Sequence, residues 1–157
     1  MKNNPVLNTH NKEEFPPAHT AEHILNGTMV KMWNCGRAVS SHVERKKSKL
    51  DYLFPRALTE EEIAHIEQRV NEVIKQDLPV TMEFALLDEV APRFDLTRLP
   101  ANVSETVRIV HIGNYDECLC TGTHVEHTAQ IGTFRITSSH YENGKLRIVF
   151  RLTLPDE

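Results

Sequence analysis

The strongest local signal for structure is a regular alternation of apolar and polar residues after the pair Asn143-Gly144. Asn-Gly is the preferred sequence of a type I′ turn, which joins two neighbouring antiparallel strands directly. Over residues 146–154, apolar side chains occupy every second position, and basic side chains occupy several of the positions between them. Such a strand has one buried face and one face in water. The chain is therefore expected to contain an antiparallel sheet that is covered on one side.

Two other segments carry the signals of helices. Residues 16–34 begin with a proline, which suits the first turn of a helix, and Gly36 is expected to end this helix. The second helix begins at Thr59, which forms a capping box with Glu62, and Pro79 is expected to stop it. The apolar stripes of the two helices consist of Ala21, Ile24, Leu25, Thr28 and Met32, and of Ile63, Ile66, Val70, Val73 and Ile74.

The remaining periodic segments are short and predict strands. Residues 37–43 and 48–54 flank a basic run and predict a hairpin, and further strands are expected over 80–86, over 107–112 and around residues 134–136. Residues 91–101 have no clear period and are expected to be irregular. Helices and strands do not alternate as in βαβ units. The order of elements therefore predicts an α+β fold, an antiparallel sheet with two main helices packed against it.

Composition limits the class of protein. The chain has 157 residues, which predicts one domain over 16–157 preceded by a flexible arm over 1–15. No apolar run approaches the roughly 20 residues of a membrane span. Three cysteines are too few for a disulfide framework, so a reduced, cytoplasmic protein is expected. A formal net charge of −4 excludes a nucleic-acid binder held by bulk positive charge, and any RNA contact must be local.

Two short motifs supply metal-binding side chains. His19 and His23 lie one helical turn apart, on a face nearly opposite the apolar stripe, and Cys120 and His124 flank a turn through Gly122. Three imidazoles and one thiolate form a common ligand set for Zn²⁺. Cys118 lies two residues from Cys120 and is an alternative sulfur ligand, although the spacing favours Cys120. Four protein ligands fill a tetrahedral site and leave no open position for water. Zinc would therefore expand its coordination, release a labile ligand, or serve only to position the substrate.

The two motifs resemble a known family in sequence and in order. His-Thr-Ala-Glu-His followed about a hundred residues later by Cys-Thr-Gly-Thr-His is similar to the HxxxH and CxxxH pattern of the zinc-binding editing domain of alanyl- and threonyl-tRNA synthetases. The free-standing relatives of that domain are the AlaX-type alanyl-tRNA editing proteins. The resemblance extends over residues 18–154, and only 18 residues precede His19, so the minimal, editing-domain-only form is expected.

The resemblance implies a zinc-dependent enzyme. The implied ligands are His19, His23, Cys120 and His124. The implied activity is trans-editing, the hydrolysis of a wrong amino acid from mischarged tRNA at its acceptor end, with seryl- or glycyl-tRNA of alanine identity as the substrates. In the first hairpin, Arg45 and Lys47 replace the Gln and Gly that the synthetases carry near the substrate pocket.

Several other residues are candidates for the site. Thr20 and Thr123 could hydrogen-bond the substrate or a ligand imidazole, or simply bond the local backbone, and Asp116 could orient a ligand or simply cap a turn. The residues expected to contact the substrate or tRNA phosphates are Arg45, Lys46, Lys47, Ser48 and Thr123, and a solvated turn is the plain alternative for the basic run.

Two other classes of function fit part of the pattern. A non-catalytic zinc-stabilised domain that binds RNA or a partner would use the same four ligands. A zinc peptidase would use the H-x-x-E-H signature of residues 19–23, with Glu22 as general base, but needs a distant acidic ligand.

Overall fold

The computed structural model describes residues 15–94 and 106–156. The predicted arm therefore lies, except for its last residue, outside the described residues, as does most of the segment 91–101. The described helices are α1 (Pro16–Trp33), α2 (Glu60–Lys75) and the short α3 (Leu87–Val90). The described strands are β1 (Ser40–His42), β2 (Ser48–Leu53), β3 (Val80–Leu86), β4 (Thr106–Ile112), β5 (Asp116–Leu119), β6 (Thr133–Glu142) and β7 (Lys145–Thr153). Single 3-10 turns occupy Ala91–Arg93 and Thr128–Ile131.

The strands form two antiparallel sheets, which confirms the α+β class and divides the expected sheet in two. One sheet has the order β1-β2-β7-β6, and the other has the order β3-β4-β5. The hairpin between β6 and β7 turns at Asn143 and Gly144, whose φ angles of 53° and 82° are left-handed, as a type I′ turn requires. The predicted hairpin of the basic run is also present, because β1 pairs with β2 in antiparallel register.

The main core lies where α1 and α2 pack against each other and against the four-stranded sheet. The largest fully buried side chains include Ile24 and Leu25 of α1, Ile66 of α2, Phe150 of β7 and Tyr52 of β2. Val107 and Ile109 of β4 point the other way, into a smaller cluster with Val90. In the part of the chain that the structure describes, no helix is long and apolar enough to span a membrane.

The starts of both helices agree with the predictions, but their ends do not, since α2 ends at Lys75 with Gln76 as its C-cap and Pro79 therefore does not stop it. The capping box of Thr59 and Glu62 is present at the start of α2. Helix α1 ends at Asn34, which takes the left-handed conformation with φ of 55°, so the expectation that Gly36 ends it is wrong. Asparagine tolerates this conformation because its short polar side chain bonds locally.

Helix α1 is buried on nearly all sides, and this differs from the two-faced helix that its sequence predicts. Every residue from Thr20 to Met29 is buried, and the polar side chains of Glu22, His23 and Asn26 are buried with the apolar ones. Strand β5, which the sequence analysis did not predict, packs against the helix at Gly27, where a Cβ atom would lie 2.9 Å from Oδ1 of Asp116. The second face of α1 therefore borders the site described next.

Candidate metal centre

Two elements bring four metal-binding side chains together. Helix α1 supplies His19 and His23, and the loop after β5 supplies Cys120 and His124. One ligand atom from each of these residues lies within 4.8 Å of every other, and we call the four residues the four-donor set. Cys118 does not belong to it. The structure thus selects Cys120, the cysteine that the spacing favoured, as the sulfur of the cluster.

The two sulfur–nitrogen distances within the four-donor set match those of tetrahedral zinc ligands. Sγ of Cys120 lies 3.4 Å from Nε2 of His19 and 3.6 Å from Nε2 of His124. Zinc bonds of about 2.05 Å to nitrogen and 2.3 Å to sulfur at the tetrahedral angle place the two atoms about 3.6 Å apart. These side chains therefore already have the spacing of zinc ligands, and the donor types suit zinc.

The backbone of the loop after β5 holds the His19 side chain in place. Nδ1 of His19 donates to the carbonyl oxygen of Thr123 at 3.2 Å, which leaves Nε2 to face Cys120. Gly122 makes this approach possible, because a Cβ atom at that position would overlap the Cε1 atom of His19. The sequence analysis assigned Gly122 to a tight turn, whereas the structure shows that the glycine is needed for space.

Thr20 holds His124 in a defined tautomer. The Thr20 hydroxyl donates to the carbonyl oxygen of Pro16 at 2.9 Å and lies 2.9 Å from Nδ1 of His124. Because its only proton is used, the hydroxyl must accept a hydrogen bond from Nδ1–H of His124, and it also accepts one from the Val125 amide at 3.2 Å. Nε2 of His124 is then unprotonated and faces the sulfur of Cys120.

The third histidine faces a buried ion pair. Asp116 accepts two hydrogen bonds from the Arg37 guanidinium, at 2.8 and 3.0 Å, and its Oδ2 lies 3.9 Å from Nδ1 of His23. This Nδ1 atom is buried and has no hydrogen-bond partner among the residues that the structure describes, which is costly for a polar atom. Asp116 is therefore placed to orient His23 if the two groups move slightly closer, as ligands do around a bound ion.

Arg108 holds the loop after β5 through two hydrogen bonds to its backbone. Its Nε donates to the carbonyl oxygen of Cys120 at 2.9 Å, and its Nη2 donates to the carbonyl oxygen of Gly122. The sequence analysis did not identify Arg108 or Arg37. Both bond groups that are distant along the chain, and no local spacing connects them to the motifs.

Burial and neighbouring charge set the protonation of the cluster. Burial and the adjacent histidines, His124 and His19, lower the pKa of His23, so its imidazole is neutral and able to bind a metal ion. Burial by itself would lower the pKa of His19, but the hydrogen bond to Cys120 and its charge raise the pKa to about 9. Burial raises the pKa of Cys118 to about 12, which keeps that side chain a neutral thiol.

A cleft of about 530 Å³ opens beside the four-donor set. Its walls come from α1, from the segment that leads into β1 and from β5, and include His19, Glu22, His23, Arg37 and Cys120. The acidic third ligand that a zinc peptidase of the H-x-x-E-H type requires is not among the donors that meet in the described part of the chain. The cleft has room for a small substrate group next to the cluster.

The remaining predicted residues lie on the hairpin and the loop. Arg45, Lys46 and Lys47 are exposed between β1 and β2, and we call them the basic loop. Ser48 is buried instead, and its hydroxyl bonds the backbone of Glu44, donating to the carbonyl and accepting from the amide. Ser48 therefore closes the hairpin and does not face the cleft, whose described lining excludes it.

Comparisons with known proteins agree with the geometry. Residues 107–149 match the model of the threonyl and alanyl tRNA synthetase second additional domain. The chain is 35% identical over 136 residues to an alanine–tRNA ligase of Fervidobacterium nodosum, in an alignment that covers 86% of the chain and 16% of the relative. An alanine–tRNA ligase of Chlamydia muridarum is 32% identical over 152 residues, which is 96% of the chain and 17% of that relative.

The same share of length is found in a third relative. An alanine–tRNA ligase of Chlamydia pneumoniae is 34% identical over 85% of the chain and 16% of its own length. The chain thus spans less than a fifth of the curated relatives it matches. Part of the chain is thus similar to the threonyl and alanyl tRNA synthetase second additional domain, and most of its length is similar to one segment of the alanine–tRNA ligases.

Proposed function

We propose that this chain is a zinc-dependent trans-editing hydrolase that releases a wrong amino acid from mischarged tRNA. Seryl- and glycyl-tRNA of alanine identity are the proposed substrates, and the cytoplasm, where tRNA is charged, is the proposed location. The observation that carries the proposal is the four-donor set beside a cleft, in a chain related to alanine–tRNA ligases.

The proposed metal is zinc, held by His19, His23, Cys120 and His124. Support comes from the donor types and from the sulfur–nitrogen distances of 3.4 and 3.6 Å. When bound, a zinc ion at this position would supply Lewis acidity toward an ester carbonyl or a water molecule, or would hold the substrate.

The neighbouring residues have positioning roles in this proposal. Thr20 fixes the tautomer and direction of His124, and Asp116 faces the buried nitrogen of His23. Arg108 fixes the loop that carries Cys120 through its two carbonyl contacts. These residues act through the ligands, whereas the cleft receives the aminoacyl group.

The proposed tRNA contact is the basic loop. Its three side chains are exposed, and the Arg45 guanidinium lies 4.3 Å from the ring centroid of Phe15. Phe15 directly precedes helix α1 and is four residues from His19. The loop is thus near the end of the helix that carries the cluster, where phosphates beside the acceptor end could meet it. Thr123 is exposed on the ligand loop and is the other proposed substrate contact.

The test is a deacylation panel with and without a zinc chelator. It contains seryl-, glycyl- and alanyl-tRNA of alanine identity and seryl-tRNA of threonine identity. The proposal predicts chelator-sensitive release from a mischarged member and no release from correctly charged alanyl-tRNA. If no member is deacylated by protein that holds one zinc per chain, the editing proposal is wrong.

One observation favours a second candidate function, a non-catalytic zinc domain that binds RNA or a partner. Four protein donors are typical of structural zinc sites, which have no open position. The variant Cys120→Ala separates the two functions. A folded variant without deacylase activity supports the enzyme, and loss of the fold together with an inactive wild-type protein supports the structural site.

A further inference from the structure

One acidic side chain beside the cluster, that of Glu22, accepts no hydrogen bond from the described residues. Glu22 lies on α1 between the two ligand histidines, is 8% exposed and lines the cleft. Among the described residues, no hydrogen-bond donor reaches this carboxylate, and its one ion-pair contact within 4 Å is Nε2 of His19 at 3.8 Å. Nε2 of His19 also faces Cys120, so it belongs to the four-donor set.

A buried carboxylate is stable only if a cation or several donors satisfy it. The other charged groups of the cleft are already paired. Arg37 makes two hydrogen bonds with Asp116, and Glu117 accepts a hydrogen bond from Arg93 at 2.8 Å. Glu22 is therefore the acidic group in the described lining that is placed to bind a cation entering the cleft.

We infer that Glu22 binds the α-ammonium group of the aminoacyl ester, an inference that rests on the proposed function. In an aminoacyl ester the ammonium nitrogen and the ester carbonyl are attached to the same Cα atom. A carboxylate 3.8 Å from a nitrogen of the four-donor set can therefore hold the ammonium group while the ester carbonyl lies at the cluster. The substrate class is then esters with a free α-amino group, and esters with an acylated amine are rejected.

The comparison of free and blocked substrates tests this inference. The rates of deacylation of seryl-tRNA and N-acetylseryl-tRNA of alanine identity are measured with the wild-type protein, with Glu22→Gln and with Glu61→Gln. Glu61 is an exposed residue of α2, so Glu61→Gln is the matched control for the same chemical change. A hydrogen-bonded charge pair predicts a wild-type preference for the free amine on the order of 10- to 100-fold, lost in Glu22→Gln and kept in the control.

Two results would overturn the inference. Equal rates on both substrates with the wild-type protein would show that the amine is not recognised. An equal loss on both substrates in Glu22→Gln would instead assign Glu22 to water activation. Glu22→Asp, which keeps the charge, should retain part of the preference, and this variant serves if Glu22→Gln does not fold.

A binding measurement keeps the inference separate from the proposed activity. The probes are an amide-linked 3′-serylamino-adenosine, which cannot be deacylated, and its N-acetyl form, measured by calorimetry. Glu22 predicts tighter binding of the free amine, with the difference abolished in Glu22→Gln. If no tRNA is deacylated but this difference is present, the editing proposal fails and the role of Glu22 stands. Equal binding of the two probes refutes that role.

Discussion

Replacing Thr20 with valine tests whether the Thr20 hydroxyl positions the ligand His124. Valine has nearly the shape of threonine but lacks the hydroxyl, and Thr20 is fully buried. The change removes the acceptor of two donors, Nδ1 of His124 and the amide of Val125. Each orphaned donor costs about 1–3 kcal/mol, and His124 is only partly buried, so the lower end applies. We expect the zinc-free protein to lose about 2 kcal/mol of unfolding free energy.

The effect on the metal is the more specific result. Without the hydroxyl, His124 can rotate and take the other tautomer, so its Nε2 no longer faces Cys120 by default. Loss of such an outer contact typically lowers metal affinity about 10- to 100-fold. Competition with a chromophoric chelator measures the zinc affinity, and urea unfolding measures the stability. Thr20→Ser keeps the hydroxyl and should bind zinc as the wild-type protein does.

Thr28→Val is the matched control on the same helix. The Thr28 hydroxyl is also buried, donates to the carbonyl oxygen of Ile24 and contacts the hydroxyl of Tyr115 at 2.6 Å. We expect this variant to lose about 1–2 kcal/mol of stability with unchanged zinc affinity. If Thr20→Val binds zinc as tightly as Thr28→Val does, the hydroxyl does not position His124.

Three further changes test other parts of the structure. Gly122→Ala should lower the zinc affinity at least about tenfold, because the added Cβ would displace the ligand His19. Gly36→Ala is the control in the same chelator assay and should bind zinc normally, because the space around Gly36 is open. Cys118→Ser should keep one zinc per chain by metal analysis and Cys120→Ser should lose it, and the opposite pattern would show that the wrong sulfur was assigned. Asp51→Asn should cost about 1 kcal/mol at pH 7 in urea unfolding, because the hydrogen bond from Arg147 lowers the pKa of Asp51 from its ordinary value. The stability that this ion pair contributes is present above the ordinary pKa of aspartate and is lost as the pH falls through the pKa of Asp51 in the folded protein. A stability difference between the wild-type protein and Asp51→Asn that persists in acid would contradict the ion pair.

Local patterns predicted the elements whose signals lie within a few residues. The capping box of Thr59 and Glu62 and the turn at Asn143 depend on neighbouring backbone groups, and both are present. Strand β5 has no such signal, because its few residues become a strand only by pairing with β4. The division of the strands into two sheets is likewise a consequence of long-range pairing.

The four-donor set and the candidates Thr20 and Asp116 beside it were predicted, but the buried polar face of α1 and the two arginines Arg37 and Arg108 were not. Spacing identified the two motifs, since a helical turn and a short loop are local geometries. The burial of polar groups on α1 was missed because their partners are distant: the Asn26 side chain accepts hydrogen bonds from the Ala38 amide and the Tyr52 hydroxyl. The period of apolar residues predicts that the polar face of α1 is exposed to water. In the structure, segments distant along the chain cover this face and form hydrogen bonds with its polar groups.

Zinc titration of the metal-free protein tests the central claim most directly. Zinc is added in steps to chelator-treated protein, and the initial rate of deacylation of seryl-tRNA of alanine identity is measured at each step. We predict a rate near zero without metal that rises linearly and levels at one zinc per chain, with no rise for Cys120→Ser. A full rate without metal, or one tightly bound zinc per chain with no hydrolysis of this or the other mischarged tRNAs, would contradict the account.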